Sequence, residues 1–268
     1  MQNAARALHE AGMLSAYVTT FAYQRESVLG RALRMGLRPF YRDTERQLAR
    51  RTIAEIPPEL VRTHPLPEMV RMSAAKAASS IFADRVWEVT EKWFDRLVAR
   101  KHLDGTDAVY GYEHAVLETF RVQRARGGIC LYEMPIPHFS TTAAILEEEY
   151  RRFPDAETER DRHLRRLSPR RNARKQQELE LADYVFCNSS FTRDSLVHAG
   201  VDEGKIRMIP LGAPPVEQTQ ARQDGPFIFL SAGTLSVRKG VHYLLEAWRR
   251  LAPAENAELW LVGHRALP

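Results

Sequence analysis

Apolar positions along the chain recur at two spacings, one of about two residues and one of about 3.6 residues. The first spacing predicts β-strands and the second predicts amphipathic helices, so their repeated alternation predicts an α/β fold. We expect strands at 13–22, 59–65, 107–113, 128–135, 184–188, 205–210, 227–232 and 258–262. We expect helices at 3–12, 24–51, 68–80, 84–100, 114–127 and 240–251, with a charged helical region near 160–175 and another helix after Ser189.

Residues that begin or end helices support these assignments. Ser189 or Ser190 can cap the helix that follows, because a serine oxygen accepts a hydrogen bond from a free amide of the first turn. Gly12 and Gly200 can end helices, since glycine readily adopts the left-handed conformation found there. Strands joined by helices in this way predict a parallel, doubly wound sheet with right-handed crossovers.

A change in composition predicts two domains. The stretch GAPPVEQTQARQDGP is rich in proline, glycine and polar residues and has no apolar periodicity, which is typical of a linker. We therefore expect an N-terminal domain at 1–212, a linker at 213–226 and the start of a second domain at 227–268.

Both domains look incomplete in the sequence. A doubly wound domain usually opens with a buried strand, yet a helix is predicted almost from Met1. The segment 227–268 holds one strand, helix and strand, and two strands cannot enclose a core. We expect the chain to be a fragment that lacks the first strand and most of the second domain.

Composition narrows the class of protein. A chain of 268 residues with 44% hydrophobic and 27% charged residues can bury a large core. It has no run of about 20 apolar residues that would span a bilayer. Cys130 and Cys187 lie in apolar runs without metal-site spacing, so we expect two reduced, buried thiols and a cytoplasmic location.

A basic run at 160–175 holds eight lysines or arginines and one aspartate. This run is interpreted first as a solvated helix face. A peripheral contact with an anionic membrane, at the inner membrane face, is the second interpretation. Nucleic acid is disfavoured because the run has no aromatic residue to stack on a base.

Arg238 and Lys239 are adjacent cations immediately before a predicted helix. The amino end of a helix carries a partial positive charge, so two cations there are unfavourable unless an anion lies between them. They also follow the carboxyl end of a predicted parallel strand, where open α/β sheets bind ligands. The pattern predicts a phosphate site, although two ordinary exposed charges would look the same in sequence.

The chain from Asp183 onward resembles the glycosyltransferase family 4 branch of GT-B enzymes. The matching motifs, in order, are Ala182-Asp183, Ser189-Ser190-Phe191, Gly200-Val201, Lys205-Ile206, Ile209-Pro210-Leu211-Gly212, Gly233, Leu235, Arg238-Lys239-Gly240, Leu244-Leu245-Glu246-Ala247 and ELWLVG. The likeness upstream, in YGYEHAVLETF and LYEMPIPHF, is looser.

The resemblance implies two Rossmann-like domains, with a nucleotide-sugar held mainly by the second and an acceptor by the first. It implies that Arg238 and Lys239 are catalytic, because they would neutralise the diphosphate as it leaves. Gly233 and Gly240 would bind the donor with them by letting the backbone approach closely. No D-x-D motif occurs, so we expect no metal and no cofactor beyond the nucleotide-sugar co-substrate.

Polar residues near two other predicted strand ends are further candidates. His114 is a candidate catalytic residue, and Glu113, Glu133 and His138 are candidate substrate contacts. Each histidine could instead be structural, and Glu133 could be a buried, hydrogen-bonded carboxylate. Ser189 is interpreted as a helix cap rather than a nucleophile, because no G-x-S-x-G surrounds it.

The expected function is transfer of a sugar from a nucleotide-sugar to a hydroxyl acceptor, with retention, in cell-envelope or exopolysaccharide biosynthesis. The family's E-x7-E motif would lie beyond residue 268, so residues 1–268 alone would hold the donor incompletely. The alternatives are a module that binds an anion or a membrane surface without turnover, and a related enzyme such as a nucleotide-sugar epimerase.

Overall fold

A computed structural model describes residues 2–22, 53, 55–77, 79–213, 215, 225–251 and 256–268. The chain forms two compact units. The first comprises Met1–Glu133 and Ala173–Val185, and the second comprises Met134–Asn172 and Phe186–Pro268. The predicted linker at 213–226 lies within the second unit and mostly outside the described residues, so the domain division stays a prediction.

Helices and strands alternate along the described chain, as the apolar spacing predicts. The strands are β1 Tyr17–Thr19, β2 Val61–Thr63, β3 Ala108–Tyr112, β4 Ile129–Glu133, β5 Tyr184–Cys187, β6 Ile206–Met208, β7 Phe227–Ala232 and β8 Ala257–Val262. The helices are α1 Gln2–Glu10, α2 Pro65–Ala77, α3 Ser80–Lys101, α4 Leu117–Ala125, α5 Phe139–Arg152, α6 Glu159–Leu181, α7 Ser190–His198 and α8 Val241–Leu251. The helix predicted at 24–51 lies outside the described residues.

Three groups of paired strands are present among the described residues. β1 pairs in parallel with β2, and β7 pairs in parallel with β8. The strands β3, β4, β5 and β6 form a parallel sheet in that order, flanked by helices. The predicted α/β class with a parallel sheet is confirmed, and the sheet is compatible with a Rossmann-like fold.

Local signals placed several element ends correctly. Ser189 caps α7 by accepting a hydrogen bond from the Thr192 amide. Gly12, Gly127 and Gly200 have φ values of 68°, 77° and 86°, the left-handed conformation that ends a helix. The predicted strand at 13–22 is shorter than expected, because only Tyr17–Thr19 pairs with a neighbouring strand.

Large side chains in the first unit form a close-packed core. Phe120 of α4 and Tyr132 of β4 are fully buried, and their rings pack edge to face with centroids 5.9 Å apart. Cys130, on the same strand, is also fully buried, and both cysteines are free, as predicted. No helix in the described part of the chain is long and apolar enough to cross a membrane.

Candidate functional site

The two predicted phosphate ligands occupy a tight turn in the second unit. Residues Val237–Lys239 form one turn of 3-10 helix between β7 and α8. Val237 is buried and anchors the turn, whereas Arg238 and Lys239 are exposed. Gly240 then takes a φ of 69°, which ends the turn and lets α8 begin at Val241.

Arg238 and Lys239 form no side-chain hydrogen bond or ion pair with any residue that the structure describes. By contrast, Arg250 of the same unit pairs with Glu246 at 2.9 Å. Two neighbouring positive charges without a protein partner leave the turn electrostatically suited to an anion. The phosphate contact of Arg238 and Lys239 stays a prediction.

Two glycines follow the strands beside this turn. Gly233 comes directly after β7 and Gly263 directly after β8, with φ values of 142° and 152°. The Gly233 amide donates to the Val262 carbonyl at 2.8 Å, and the Leu235 amide donates to the His264 carbonyl at 2.9 Å. The parallel pairing thus continues past the strands, and it fixes the backbone at their carboxyl ends.

Hydrogen bonds and ring contacts connect the first turn of α8 to α5 within the same unit. Glu149 of α5 accepts hydrogen bonds from His242 Nε2 at 2.9 Å and from the Tyr243 hydroxyl at 3.0 Å. The Phe153 ring packs edge to face on both of those rings. The hydrogen bond from His242 lowers the pKa of Glu149, which stabilises its charged form. Sequence analysis missed this contact, because its partners are far apart in the chain.

His138, a predicted substrate contact, caps α5 in the second unit. Its Nδ1 accepts from the Ser140 amide at 3.3 Å, and its own amide donates to Ser195 Oγ at 2.9 Å. The residue is only 4% exposed. These contacts give His138 a structural role, and its contact with a substrate stays a prediction.

The loop after β3 contains the other candidate histidine, in the first unit. His114 has a φ of 74°, a left-handed conformation that is costly for any residue other than glycine. Glu178 accepts hydrogen bonds from the amides of His114 and Val116, at 2.6 and 3.1 Å. Arg174 Nε donates to the His114 carbonyl at 2.9 Å. The backbone of this loop is therefore hydrogen-bonded to two side chains of α6.

The His114 ring is buried rather than open to solvent. It is 4% exposed and stacks on Trp87, with ring centroids 5.1 Å apart and an angle of 18° between the planes. This packing favours a role for His114 in shaping the loop. Its predicted catalytic role stays a prediction.

The two candidate glutamates lie at the carboxyl ends of neighbouring strands, and the structure brings them together. The Glu113 amide donates to the Glu133 carbonyl at 3.2 Å. Glu113 pairs with Lys175 at 2.6 Å, and Glu133 accepts from the Tyr110 hydroxyl at 2.8 Å. Burial and the neighbouring Glu133 raise the pKa of Tyr110, so the hydroxyl remains a donor. Both carboxylates therefore have partners inside the first unit.

A buried ionic network beneath this loop was not predicted. Arg174 lies between Asp95, at 2.5 Å, and Glu178, at 3.2 Å, and both carboxylates are fully buried. Asp95 also accepts from the amides of Glu118 and Thr119, so it caps α4 from a different helix. Burial raises the pKa of Glu178, while Arg174 opposes that effect. The only sequence signal was the four-residue spacing of Arg174 and Glu178 on one helix.

The predicted basic run lies on α6, and some of its side chains form ion pairs while others are exposed. Arg174 and Lys175 point into ion pairs of the first unit, which corrects the interpretation of the whole run as one solvated face. The exposed members are Arg160, Arg162, Arg165, Arg166 and Arg170. Arg162 and Arg165 pair with Glu157.

Among the described residues, no group of three or more histidine, cysteine, aspartate or glutamate side chains is placed to hold a metal ion. The predicted site residues belong to different units. Arg238, Lys239, Gly233, Gly240 and His138 are in the second unit, and Glu113, His114 and Glu133 are in the first.

Comparison with known proteins adds no family assignment. No protein-family model matches the chain, and no curated protein matches it. The resemblance to glycosyltransferase family 4 therefore rests on the sequence motifs.

Proposed function

We propose that this chain is part of a glycosyltransferase that moves a sugar from a nucleotide-sugar to a hydroxyl acceptor. One observation carries the proposal: Arg238 and Lys239 are exposed and have no ion-pair partner among the described residues. They follow the carboxyl end of β7, in a parallel strand pair, where α/β folds bind ligands.

The chemistry of sugar transfer fits this position. A nucleoside diphosphate gains negative charge as its bond to the sugar breaks, and two neighbouring cations would stabilise that charge. Gly233 and Gly240 carry no side chain, so a phosphate oxygen can approach the backbone beside them. Retention of configuration, a cell-envelope acceptor, a cytoplasmic location and independence from metal remain parts of the same proposal.

Nucleotide binding tests the phosphate contact directly. UDP and GDP are titrated calorimetrically into the parent chain and into the Arg238→Ala/Lys239→Ala variant. Each charged hydrogen bond contributes about 1.5–3 kcal/mol, so the double variant is expected to bind at least about 100-fold more weakly. Equal affinity of both proteins rejects the assignment.

Two controls separate a phosphate contact from a general charge effect. Arg249→Ala/Arg250→Ala removes the same charge from the last turn of α8, the helix that follows the Arg238 turn, and is expected to leave affinity unchanged. Uridine or guanosine, which lack phosphate, are expected to bind both proteins equally. Release of nucleotide from a panel of nucleotide-sugars with candidate acceptors then tests for turnover.

A second candidate function is binding to an anionic surface without turnover. The exposed arginines of α6 favour it, because each basic side chain near an anionic membrane contributes about 1 kcal/mol. Sedimentation with phosphatidylserine liposomes is compared for the parent and for Arg165→Glu/Arg166→Glu/Arg170→Glu. Unchanged binding after charge reversal, or equal binding to neutral phosphatidylcholine liposomes, rejects this function.

A further inference from the structure

The Arg238 turn, residues 237–240, continues directly into α8. The Gly240 amide donates a hydrogen bond to the Val237 carbonyl at 2.9 Å, and α8 begins at the next residue, Val241. Because no residue separates the turn from the helix, a rotation of the first turn of α8 about the helix axis would also move the two cations.

Apolar packing stabilises this turn but does not fix its orientation. Val237 and Val241 are both buried, with 5% and 3% of their surface exposed. Helix α5 packs against the turn itself. The hydrophobic effect is non-directional, so this packing leaves the rotation of α8 about its axis unspecified.

The carboxylate of Glu149, on α5, restrains that rotation. His242 Nε2 donates to one Glu149 oxygen at 2.9 Å, and the Tyr243 hydroxyl donates to the other at 3.0 Å. Consecutive residues of an α-helix point about 100° apart around its axis. Hydrogen bonds from both side chains to one carboxylate are therefore compatible with only a narrow range of rotations of α8.

This contact is largely shielded from water. The side chains of His242 and Glu149 are 10% and 17% exposed. The Phe153 ring packs edge to face on His242, with ring centroids 4.6 Å apart. A hydrogen bond to a carboxylate is stronger where little water competes for it, so this contact is suited to holding α8 in place.

We propose that Glu149 and His242 are positioning residues for the phosphate site. Their hydrogen bond would hold the Arg238 turn in the conformation in which both cations contact a nucleoside diphosphate. The two residues act through the turn and do not touch the nucleotide. Placing the cations in advance reduces the conformational entropy lost on binding and so increases affinity. This inference rests on the proposed function.

The charge of Glu149 distinguishes positioning from a direct electrostatic effect. A carboxylate near an anion site weakens anion binding by repulsion, so removal of its charge alone would strengthen binding. Positioning predicts the opposite sign for Glu149→Leu, because both hydrogen bonds to α8 are lost. In calorimetric titrations, UDP or GDP is expected to bind this variant about fivefold to tenfold more weakly than the parent chain.

Two substitutions of His242 separate the hydrogen bond from the ring packing. His242→Phe keeps a ring against Phe153 but has no donor, so it is expected to weaken nucleotide binding as Glu149→Leu does. His242→Gln loses the ring but keeps a side-chain donor, and it is expected to bind within about twofold of the parent. Glu147→Leu removes an exposed charge from the same helix and is the matched control, expected to bind no more weakly than the parent.

Hydrogen exchange of the Gly240 amide tests the restraint without any nucleotide. This amide is expected to exchange about tenfold faster in Glu149→Leu and His242→Phe than in the parent, because the turn opens more often. The Met134 amide of the same unit donates to the Phe186 carbonyl at 2.8 Å. It is expected to exchange at the parent rate, which shows that the variants are folded.

The outcomes distinguish this inference from the proposed function. If the parent binds neither nucleotide, or if Arg238→Ala/Lys239→Ala binds as tightly as the parent, the proposed function fails, and exchange at Gly240 still shows whether the contact holds the turn. If both cations are needed but Glu149→Leu binds as tightly as the parent or more tightly, positioning is overturned. Unchanged exchange at Gly240 in both variants overturns it as well, and so does equal weakening by His242→Gln and His242→Phe.

Discussion

The carbonyl oxygen of Gly233 lies 1.7 Å from the position that a Cβ atom on Gly263 would occupy. Real Cβ atoms essentially never come within 3.0 Å of another heavy atom, so residue 263 accepts only glycine with the backbone in this arrangement. Gly233 has no atom within 4 Å of its own hypothetical Cβ. The close approach therefore excludes a side chain at residue 263 but leaves open space beside residue 233.

The first prediction compares alanine at the two glycines. Gly263→Ala must displace backbone and adopt a φ of 152°, so it is expected to lower the free energy of unfolding by at least about 3 kcal/mol. Gly233→Ala meets only the conformational strain of its φ and is expected to cost about 1–2 kcal/mol. Urea unfolding measures both, and an equal cost for the two variants would contradict the close contact.

The second prediction concerns the buried cation of the first unit. Arg174→Met keeps the apolar stem but leaves Asp95 and Glu178 buried without their positive partner. Breaking a buried ion pair by removing one partner costs about 3–5 kcal/mol, and we expect a loss of that size in the free energy of unfolding. Chemical denaturation followed by tryptophan fluorescence measures it.

An exposed ion pair on α4 provides the matched control for Arg174. Arg121 pairs with Glu118, and their side chains are 49% and 33% exposed. Because solvent screens such pairs, Arg121→Met is expected to cost less than about 1 kcal/mol. A loss for Arg174→Met no larger than this control would show that the network contributes little.

Helix caps, helix ends and strand bounds could be predicted from the sequence, because they depend on neighbouring residues. Ser189 caps α7 and Gly200 ends it because each signal acts within one helical turn. The strand 227–232 was predicted with its observed bounds, since its apolar run is bordered by turn residues. The helix predicted at 240–251 is observed at Val241–Leu251, and Val241 is buried while Leu251 is 71% exposed.

The sequence did not predict contacts between distant segments. Asp95 caps α4 from α3, across 24 residues of chain, and no local pattern specifies such a partner. Arg174 lies in a basic run whose other members are mostly exposed, so its burial depends on tertiary packing. The position of Arg238 and Lys239 between a strand and a helix could be predicted, because it depends on local spacing, whereas the burial of His114 could not. The functional roles of these residues stay predictions.

The third prediction is a pH dependence from a histidine pair in the first unit. His64 Nε2 and His102 Nε2 are 2.7 Å apart, so one ring donates and the other accepts while both are neutral. Burial, with Lys101 nearby, lowers the pKa of both rings, and Arg62 lowers that of His102 further. Their folded pKa values thus lie below the unfolded value of about 6.5.

The sign of the effect follows from proton binding. Between the folded and unfolded pKa values the unfolded state binds more protons, so stability falls as pH drops below about 6.5. Glu178 and Glu91, whose pKa values are raised by burial, act in the opposite direction and are present in every variant. From pH 7 to pH 5 the free energy of unfolding is expected to fall less, or to rise more, in His64→Gln/His102→Gln than in the parent. Parallel curves would contradict the assignment.

The fourth prediction concerns the reactivity of the two thiols. Burial raises the pKa of Cys130 to about 12, and it also raises the pKa of Cys187. The thiolate is the reactive form, so at pH 8 neither native thiol is expected to react readily with Ellman's reagent. Both should react promptly in denaturant, and the native rate should follow the population of opened molecules. Cys130→Ala and Cys187→Ala assign the signal to each site.

Rapid labelling of Cys130 in the native protein would contradict this prediction, because Cys130 is fully buried on β4. It would show that the sheet opens easily at this strand. The core would then be less tightly packed than the ring contact of Phe120 with Tyr132 indicates.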